Sequence, residues 1–146
     1  MAANSLLQAF PVQLDEQESG GFLASFPDVP EALTEGATMQ DALAEAEDCL
    51  IAALGGYVEA RRKIPVPSPA KGRPLVSLPA LVAAKVALYC AMREQGVGNA
   101  ALARKLDTVE GSIRRLLDLD HRSHIGQVEA ALHALGQRLV VAAQAA

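Results

Sequence analysis

Four prolines between Ile64 and Pro74 divide this 146-residue chain into two parts that cannot share one continuous helix. Proline fixes its own φ angle and has no N–H to donate, so the stretch is expected to be extended. A chain of this length can bury a core without a disulfide or metal staple. The sequence therefore predicts two modules, at residues 1–63 and 79–146, joined by a proline-rich linker with a possible short strand at 64–78.

The net charge changes sign at the same place. Residues 1–70 hold eleven acidic and three basic side chains, a net charge of −8, whereas residues 71–146 hold six acidic and ten basic ones, a net charge of +4. The first part repels phosphate and the second can attract it. This asymmetry indicates that the two modules have different partners.

The composition excludes several classes of protein. Hydrophobic residues make up 51% of the chain and charged residues 21%, which excludes global disorder. Three Phe, two Tyr and no Trp are too few rings for a base-stacking platform. The two cysteines, Cys49 and Cys90, form no disulfide framework, and neither a signal peptide nor a membrane-spanning run is recognisable. We therefore expect a soluble cytoplasmic protein.

The first module has the pattern of a small sheet followed by a helix. Alternating apolar residues predict strands at 10–14 and 22–26, joined by a hairpin connection at 15–21. A short third strand is predicted at 31–35. Thr38 is the expected N-cap of the helix that follows. The predicted element order is β-β-β-α.

The second module is predicted to be helical, with helices at 80–95, 100–106, 109–117 and 127–135. Two short helices joined by a tight turn are typical of a helix-turn-helix. That motif needs a small residue in its first helix, a residue tolerant of left-handed backbone in the turn and a buried branched residue in its second helix. Ala103, Asp107 and Ile113 meet these requirements in order.

This motif places polar and basic side chains where they can reach DNA. Arginine binds guanine through two hydrogen bonds or holds a phosphate group, and the other polar residues position the backbone. The alternative interpretation is a plain helical bundle with solvated arginines. The candidate DNA-binding residues are Asn99, Lys105, Thr108, Glu110, Gly111, Arg114, Arg115, Arg122 and Ser123.

Short motifs in both modules carry a family resemblance. They read GGF, SFPDVP, TEGAT and ALAEA in the first module, and AKVALY, ALARKL, RRLLD and AAL…LG in the second, at residues 20–22, 25–30, 34–38, 42–46, 84–89, 101–106, 114–118 and 130–136. In these motifs the chain resembles HicB-type antitoxins of bacterial toxin–antitoxin systems over nearly its whole length. Some members of that family carry a ribbon-helix-helix, but residues 99–117 favour a helix-turn-helix here.

The resemblance implies an α+β protein, with a small partial RNase H-like β-β-β-α(-β) domain that has lost catalysis and then an all-α helix-turn-helix domain. It implies that the first domain binds a small basic HicA-like toxin that cleaves RNA. The second is implied to bind the operator of its own operon as a homodimer or higher homo-oligomer. No catalytic residue, metal or cofactor is expected. The candidate toxin-binding residues are Asp15, Glu16, Glu18, Phe22 and Asp28.

Two other functions are compatible with the sequence. One is a stand-alone helix-turn-helix regulator whose first module binds another protein or a small ligand. The other is a residual metal-dependent nuclease, which requires several carboxylates to converge on two cations. Three of the four candidate acids, at residues 15, 16 and 18, fall in one predicted turn, where a solvated surface is the favoured interpretation.

Overall fold

The computed structural model describes residues 9–143 and 145, and the chain divides into two compact units, one ending at Leu78 and the other beginning at Pro79. The described strands all lie in the first unit and the second unit is built from helices, which confirms the predicted α+β class. Within the described residues, none of the helices has the length and apolarity that a membrane crossing demands. The first unit contains β1 (Ala9–Pro11), β2 (Gln13–Glu16), β3 (Phe22–Ser25), β4 (Leu33–Gly36), α1 (Met39–Glu59) and β5 (Leu75–Ser77). The second contains α2 (Ala80–Gln95), α3 (Asn99–Lys105), α4 (Glu110–Leu117) and α5 (Ile125–Ala134).

The strand predicted at 10–14 is divided into two by a change of partner. β1 pairs antiparallel with β5, with Phe10 opposite Val76. The Val12 N–H then donates to the Pro74 carbonyl oxygen at 2.9 Å, and β2 pairs with β3 in a separate three-stranded sheet. Pro11 lies in the two-stranded sheet, where its missing N–H is tolerated at an edge.

The proline-rich segment lies within the first unit. Ile64 is buried, and the Asp28 carboxylate accepts hydrogen bonds from both the N–H and the hydroxyl of Ser68, at 2.9 and 3.0 Å. At its end the segment becomes β5. Residues 64–78, expected to be a linker with a possible short strand, therefore contribute both core and sheet to this unit.

Close backbone packing explains a glycine in each of the motifs GGF and TEGAT. The predicted hairpin is present, but its turn covers residues 17–21 rather than 15–21, because β2 extends through Glu16. Gly21 in this turn has a φ of +82°. A Cβ atom at Gly21 would lie 2.8 Å from the Gly36 carbonyl oxygen, and one at Gly36 would clash with the backbone nitrogen of Ala42. The hairpin, β4 and the first turn of α1 therefore meet where only glycine fits.

Helix α1 begins as predicted and continues through two glycines. The Thr38 hydroxyl accepts a hydrogen bond from the Asp41 N–H at 3.1 Å, which confirms the predicted N-cap. Glycine lowers helix propensity, yet the helix extends past Gly55 and Gly56 to Glu59. Burial of Ala42, Ala46, Leu50, Leu54 and Tyr57 along one face compensates for this cost.

The third strand begins at Leu33 rather than at Glu31. Glu31 lies outside it, and its carboxylate accepts a hydrogen bond from the Tyr57 hydroxyl at 2.6 Å and pairs with Arg62 at 3.0 Å. These two hydrogen bonds lower the pKa of Glu31. The cluster fastens the chain before β4 to the end of α1.

Candidate functional surfaces

The turn between α3 and α4 has the left-handed residue that the sequence predicted. Asp107 has a φ of +52°. Its N–H donates to the Arg104 carbonyl at 3.2 Å, and the Thr108 N–H donates to the Ala103 carbonyl at 2.9 Å. This pair of bonds is a Schellman motif, which satisfies the last carbonyls of α3 and turns the chain towards α4.

A small apolar core holds α4 against α3. Ala103 and Ile113 are buried, as their spacing predicted. Leu102, Leu116 and Leu117 are buried with them. The helix-turn-helix therefore has the packing that its sequence pattern requires.

The residues that precede the two predicted short helices, Asn99 and Thr108, are not their N-caps. Asn99 is the first residue of α3 and Gly98 is its N-cap, whereas Val109 precedes α4 in the N-cap position. Neither cap residue makes a side-chain hydrogen bond to its helix. The Thr108 N–H already donates to the Ala103 carbonyl in the turn, so the N-cap position of α4 falls one residue later, at Val109.

The outward face of α4 carries two adjacent arginines, Arg114 and Arg115, here called the arginine pair. Both are exposed, as is Glu110. A Cβ atom at Gly111 would lie 3.6 Å from a guanidinium nitrogen of Arg114 and 3.8 Å from one of Arg115. Both guanidinium groups therefore lie beside Gly111, close to the position that a side chain would occupy.

The other candidate DNA-binding residues differ in exposure. Lys105, Thr108 and Arg122 are exposed, and Asn99 is half-buried. Ser123 is also half-buried, and its hydroxyl lies 3.1 Å from Nδ1 of His121 and donates to the Arg115 carbonyl at 3.4 Å. Its hydroxyl is thus engaged within the loop that follows α4.

Sequence reasoning missed Lys85 as a component of this motif. Lys85 lies on α2 with no solvent exposure, and its ammonium donates to the carbonyl oxygens of Arg115, Asp118 and His121 at 2.9, 2.6 and 2.7 Å. Burial lowers the pKa of Lys85, and the nearby Asp118 carboxylate opposes that shift. A lysine at helical spacing from Val82 and Tyr89 on an apolar helix face was the available signal.

In the first unit, the three-stranded sheet has one face that α1 does not cover. Ala24 is buried on the α1 side, and Leu14, Thr34, Phe22 and Gly36 share that side by register. The opposite side, here called the open face, presents Gln13, Asp15, Leu23, Ser25, Leu33 and Glu35. Half-buried Leu23 lies on the central strand between Asp15 and Glu35, whose carboxylates are exposed on the flanking strands. Leu33 is 57% exposed at the start of β4.

The structure does not bring the predicted toxin-binding residues to one face. Asp15 lies on the open face, Glu18 in the hairpin turn, and Glu16 and Phe22 on the other side of the sheet. The Asp28 carboxylate already accepts hydrogen bonds from Ser68. The open face also carries Leu23, Leu33 and Glu35, which the sequence analysis did not select, although the alternation that placed Phe22 and Ala24 inward already placed Leu23 outward.

Among residues 9–143 and 145, no cluster of three or more His, Cys, Asp or Glu side chains is arranged to hold a metal ion. The Asp15 and Glu18 carboxylates lie in different parts of the hairpin, and Asp28 is turned to Ser68. The converging carboxylates that the nuclease alternative requires do not form there.

Comparison with known proteins identifies the family. Residues 9–87 match the family model described as HicB-like antitoxin of bacterial toxin–antitoxin systems. Antitoxin HicB 2 of Photorhabdus laumondii is 44% identical over 134 residues, 92% of this chain and 95% of that protein. Antitoxin HicB of Escherichia coli K12 is 37% identical over 89% of this chain and 95% of its own length, and antitoxin HicB of Pseudomonas fluorescens is 39% identical over 89% and 90%. The chain belongs to the HicB-like antitoxin family of bacterial toxin–antitoxin systems.

Proposed function

We propose that this antitoxin neutralises a small basic RNase toxin of the HicA type through its first unit and represses its own operon through its second. The similarity to HicB antitoxins extends over both units. The observation that carries the toxin half of the proposal is the open face, where Leu23 lies between two exposed carboxylates and exposed Leu33 lies at the start of the neighbouring edge strand. This is the chemistry that fits a basic, RNA-binding protein surface.

The toxin would be bound on the open face. Leu23 and Leu33 supply the apolar contact, and Asp15 and Glu35 pair with basic groups that otherwise hold RNA phosphates. A toxin bound there cannot bind RNA, because the antitoxin covers its RNA-binding surface. No chemical reaction on the antitoxin is needed. Opposite charges accelerate the encounter, so association is expected to slow as the salt concentration rises.

Charge reversal on the open face tests this surface. The Asp15→Lys/Glu35→Lys double variant is expected to slow association with the small basic protein encoded beside this gene by about tenfold or more, because like charges then face each other. Association rates and inhibition of RNA cleavage are the measurements. Glu45→Lys/Glu47→Lys, two exposed acids of α1, is the matched control and is expected to change the rate about twofold at most.

The reverse pattern, with the α1 variant impaired and the sheet variant intact, would move the toxin to α1. If no small basic protein co-purifies with the wild-type chain, the stand-alone regulator becomes the better interpretation.

Operator binding is proposed for α4, inserted in the major groove with the arginine pair towards the bases. The packed helix-turn-helix and the net positive charge of residues 71–146 support it. A homodimer would place two such helices on the two halves of a palindromic operator. Phosphate contacts from Lys105 and Arg122 would fix the register.

Arg114→Ala tests the placement of α4. If Arg114 reads a base, the substitution is expected to weaken binding to the promoter of its own operon by about 1–3 kcal/mol and to relax specificity at one position. Affinities are measured at one fixed salt concentration on operator and scrambled DNA. Lys63→Ala removes an exposed positive charge from the first unit and serves as control. Unchanged binding by Arg114→Ala would reject this orientation of α4.

A further inference from the structure

The feature that the proposed function leaves unexplained is the buried ammonium of Lys85. A lysine without solvent exposure loses the hydration of its charge, which is costly unless the protein replaces it. Here three carbonyl oxygens within 2.9 Å replace it, one for each N–H of the ammonium. An apolar residue of similar length would fill the same space without that cost, so the lysine is expected to serve a purpose beyond packing.

All three carbonyls belong to the end of α4 and the loop behind it. Arg115 lies in the last turn of α4, Asp118 is its C-cap, and His121 lies three residues further on. The final carbonyls of a helix have no partner within the helix and carry its negative pole. The Lys85 ammonium thus caps α4 from a different helix and fastens the following loop to the same point.

We propose that Lys85 is a positioning residue for DNA recognition, which fixes the rotation of α4 so that the arginine pair faces the bases. The inference rests on the proposed operator binding. One of the three carbonyls belongs to Arg115 itself, and Arg114 precedes it, so the clamp acts directly on the backbone that carries the arginine pair. The same clamp fixes the loop that carries exposed Arg122.

Loss of the Lys85 ammonium is therefore expected to affect operator affinity separately from the stability of the second unit. α4 has only eight residues and no side-chain N-cap, so its own hydrogen bonds define its end weakly. Without the ammonium, the last turn can fray while Ile113 and Leu116 keep the helix attached to the core. Contacts to bases depend on exact side-chain placement, whereas phosphate contacts tolerate displacement, so specific binding should fall more than non-specific binding.

Lys85→Met in the full-length chain is the test. It removes the charge and the donors while keeping an unbranched side chain. We expect affinity for the operator fragment to fall at least tenfold at a temperature well below the unfolding midpoint, with affinity for scrambled DNA of equal length changed less than threefold. Amide hydrogen exchange should accelerate at residues 115–121.

Leu88→Ala is the matched control, because it removes a fully buried side chain from the same helix and destabilises the unit while it keeps the Lys85 ammonium. It should retain the ratio of operator to scrambled affinity. Lys85→Gln, which keeps two N–H donors on a shorter side chain, carries the test if the Met variant does not fold.

The proposal is overturned if a folded Lys85 variant keeps the wild-type affinity ratio, or if Leu88→Ala lowers that ratio equally. It is also overturned if neither Lys85 variant folds, because Lys85 then acts in folding rather than in positioning. If the wild-type chain does not distinguish operator from scrambled DNA, the operator-binding proposal itself fails, and this inference fails with it.

Discussion

Asp107 occupies a backbone conformation that costs free energy for any residue with a Cβ atom. Aspartate tolerates it better than most residues do, and a β-branched residue tolerates it least. The Schellman bonds of Asp107 and Thr108 hold the turn in this conformation, since they satisfy two carbonyls of α3. The turn is therefore a position where a single residue sets the stability of the helix-turn-helix.

The effect of a substitution at Asp107 on the stability of the second unit should depend on how readily the new residue adopts left-handed backbone. Asp107→Gly is expected to raise the free energy of unfolding of the second unit by up to about 1 kcal/mol, and Asp107→Val to lower it by about 1–2 kcal/mol. Denaturant unfolding measures both changes. Asp120→Gly, at an exposed residue without a positive φ, is the control and should give no gain. A destabilised Asp107→Gly variant would contradict the strain at this turn.

The residues that could be predicted are those whose roles depend on near neighbours. Ala103, Asp107 and Ile113 lie within ten residues of one another, so their spacing alone defines the turn. Lys85 bonds to residues 30 to 36 positions away, and no local pattern reveals where those carbonyls will be. The predicted starts of α3 and α4 were each wrong by one residue. For α4 the reason is that the turn uses the Thr108 backbone before the helix begins.

At the scale of elements, the strands were less predictable than the helices. Apolar alternation placed the first strand correctly at Phe10 but could not show that the chain changes partner at Val12. That change depends on β5, which arrives more than sixty residues later. The open face was predictable in part, because alternation fixes which residues point outward but not that β4 will place Leu33 and Glu35 beside them.

Gly111 lies within helix α4, where glycine lowers helix stability. Gly111→Ala is expected to stabilise the second unit by about 0.5–1 kcal/mol, since its Cβ would make ordinary contacts with the arginine side chains. If α4 approaches DNA closely at Gly111, the same substitution should weaken operator binding several-fold despite the gain in stability. Thermal unfolding and operator titration together test this. A gain in both thermal stability and operator affinity would indicate that Gly111 lies away from the DNA.

At the scale of the whole molecule, the proline-rich segment belongs to the fold of the first unit. Phe10 and Val12 have no solvent exposure, and the backbone around them pairs with Val76 and Pro74. The sequence predicted that this module would end at residue 63. Prolines favour extended backbone, but extended backbone forms edge strands as readily as linkers, so composition alone could not distinguish the two.

Truncation tests the extent of this unit and its independence. A fragment of residues 1–78 retains β5 and the Ser68 contact to Asp28, so we expect it to unfold cooperatively and to inhibit the toxin without binding the operator. A fragment of residues 1–63 lacks the partner of β1, which exposes Phe10 and Val12, and is expected to lose cooperative unfolding. Circular dichroism during thermal unfolding and inhibition of RNA cleavage measure the difference. Equal unfolding temperatures of the two fragments would show that residues 64–78 lie on the surface of this unit and do not stabilise it. A folded 1–78 fragment without inhibition would show that toxin neutralisation also needs the second unit.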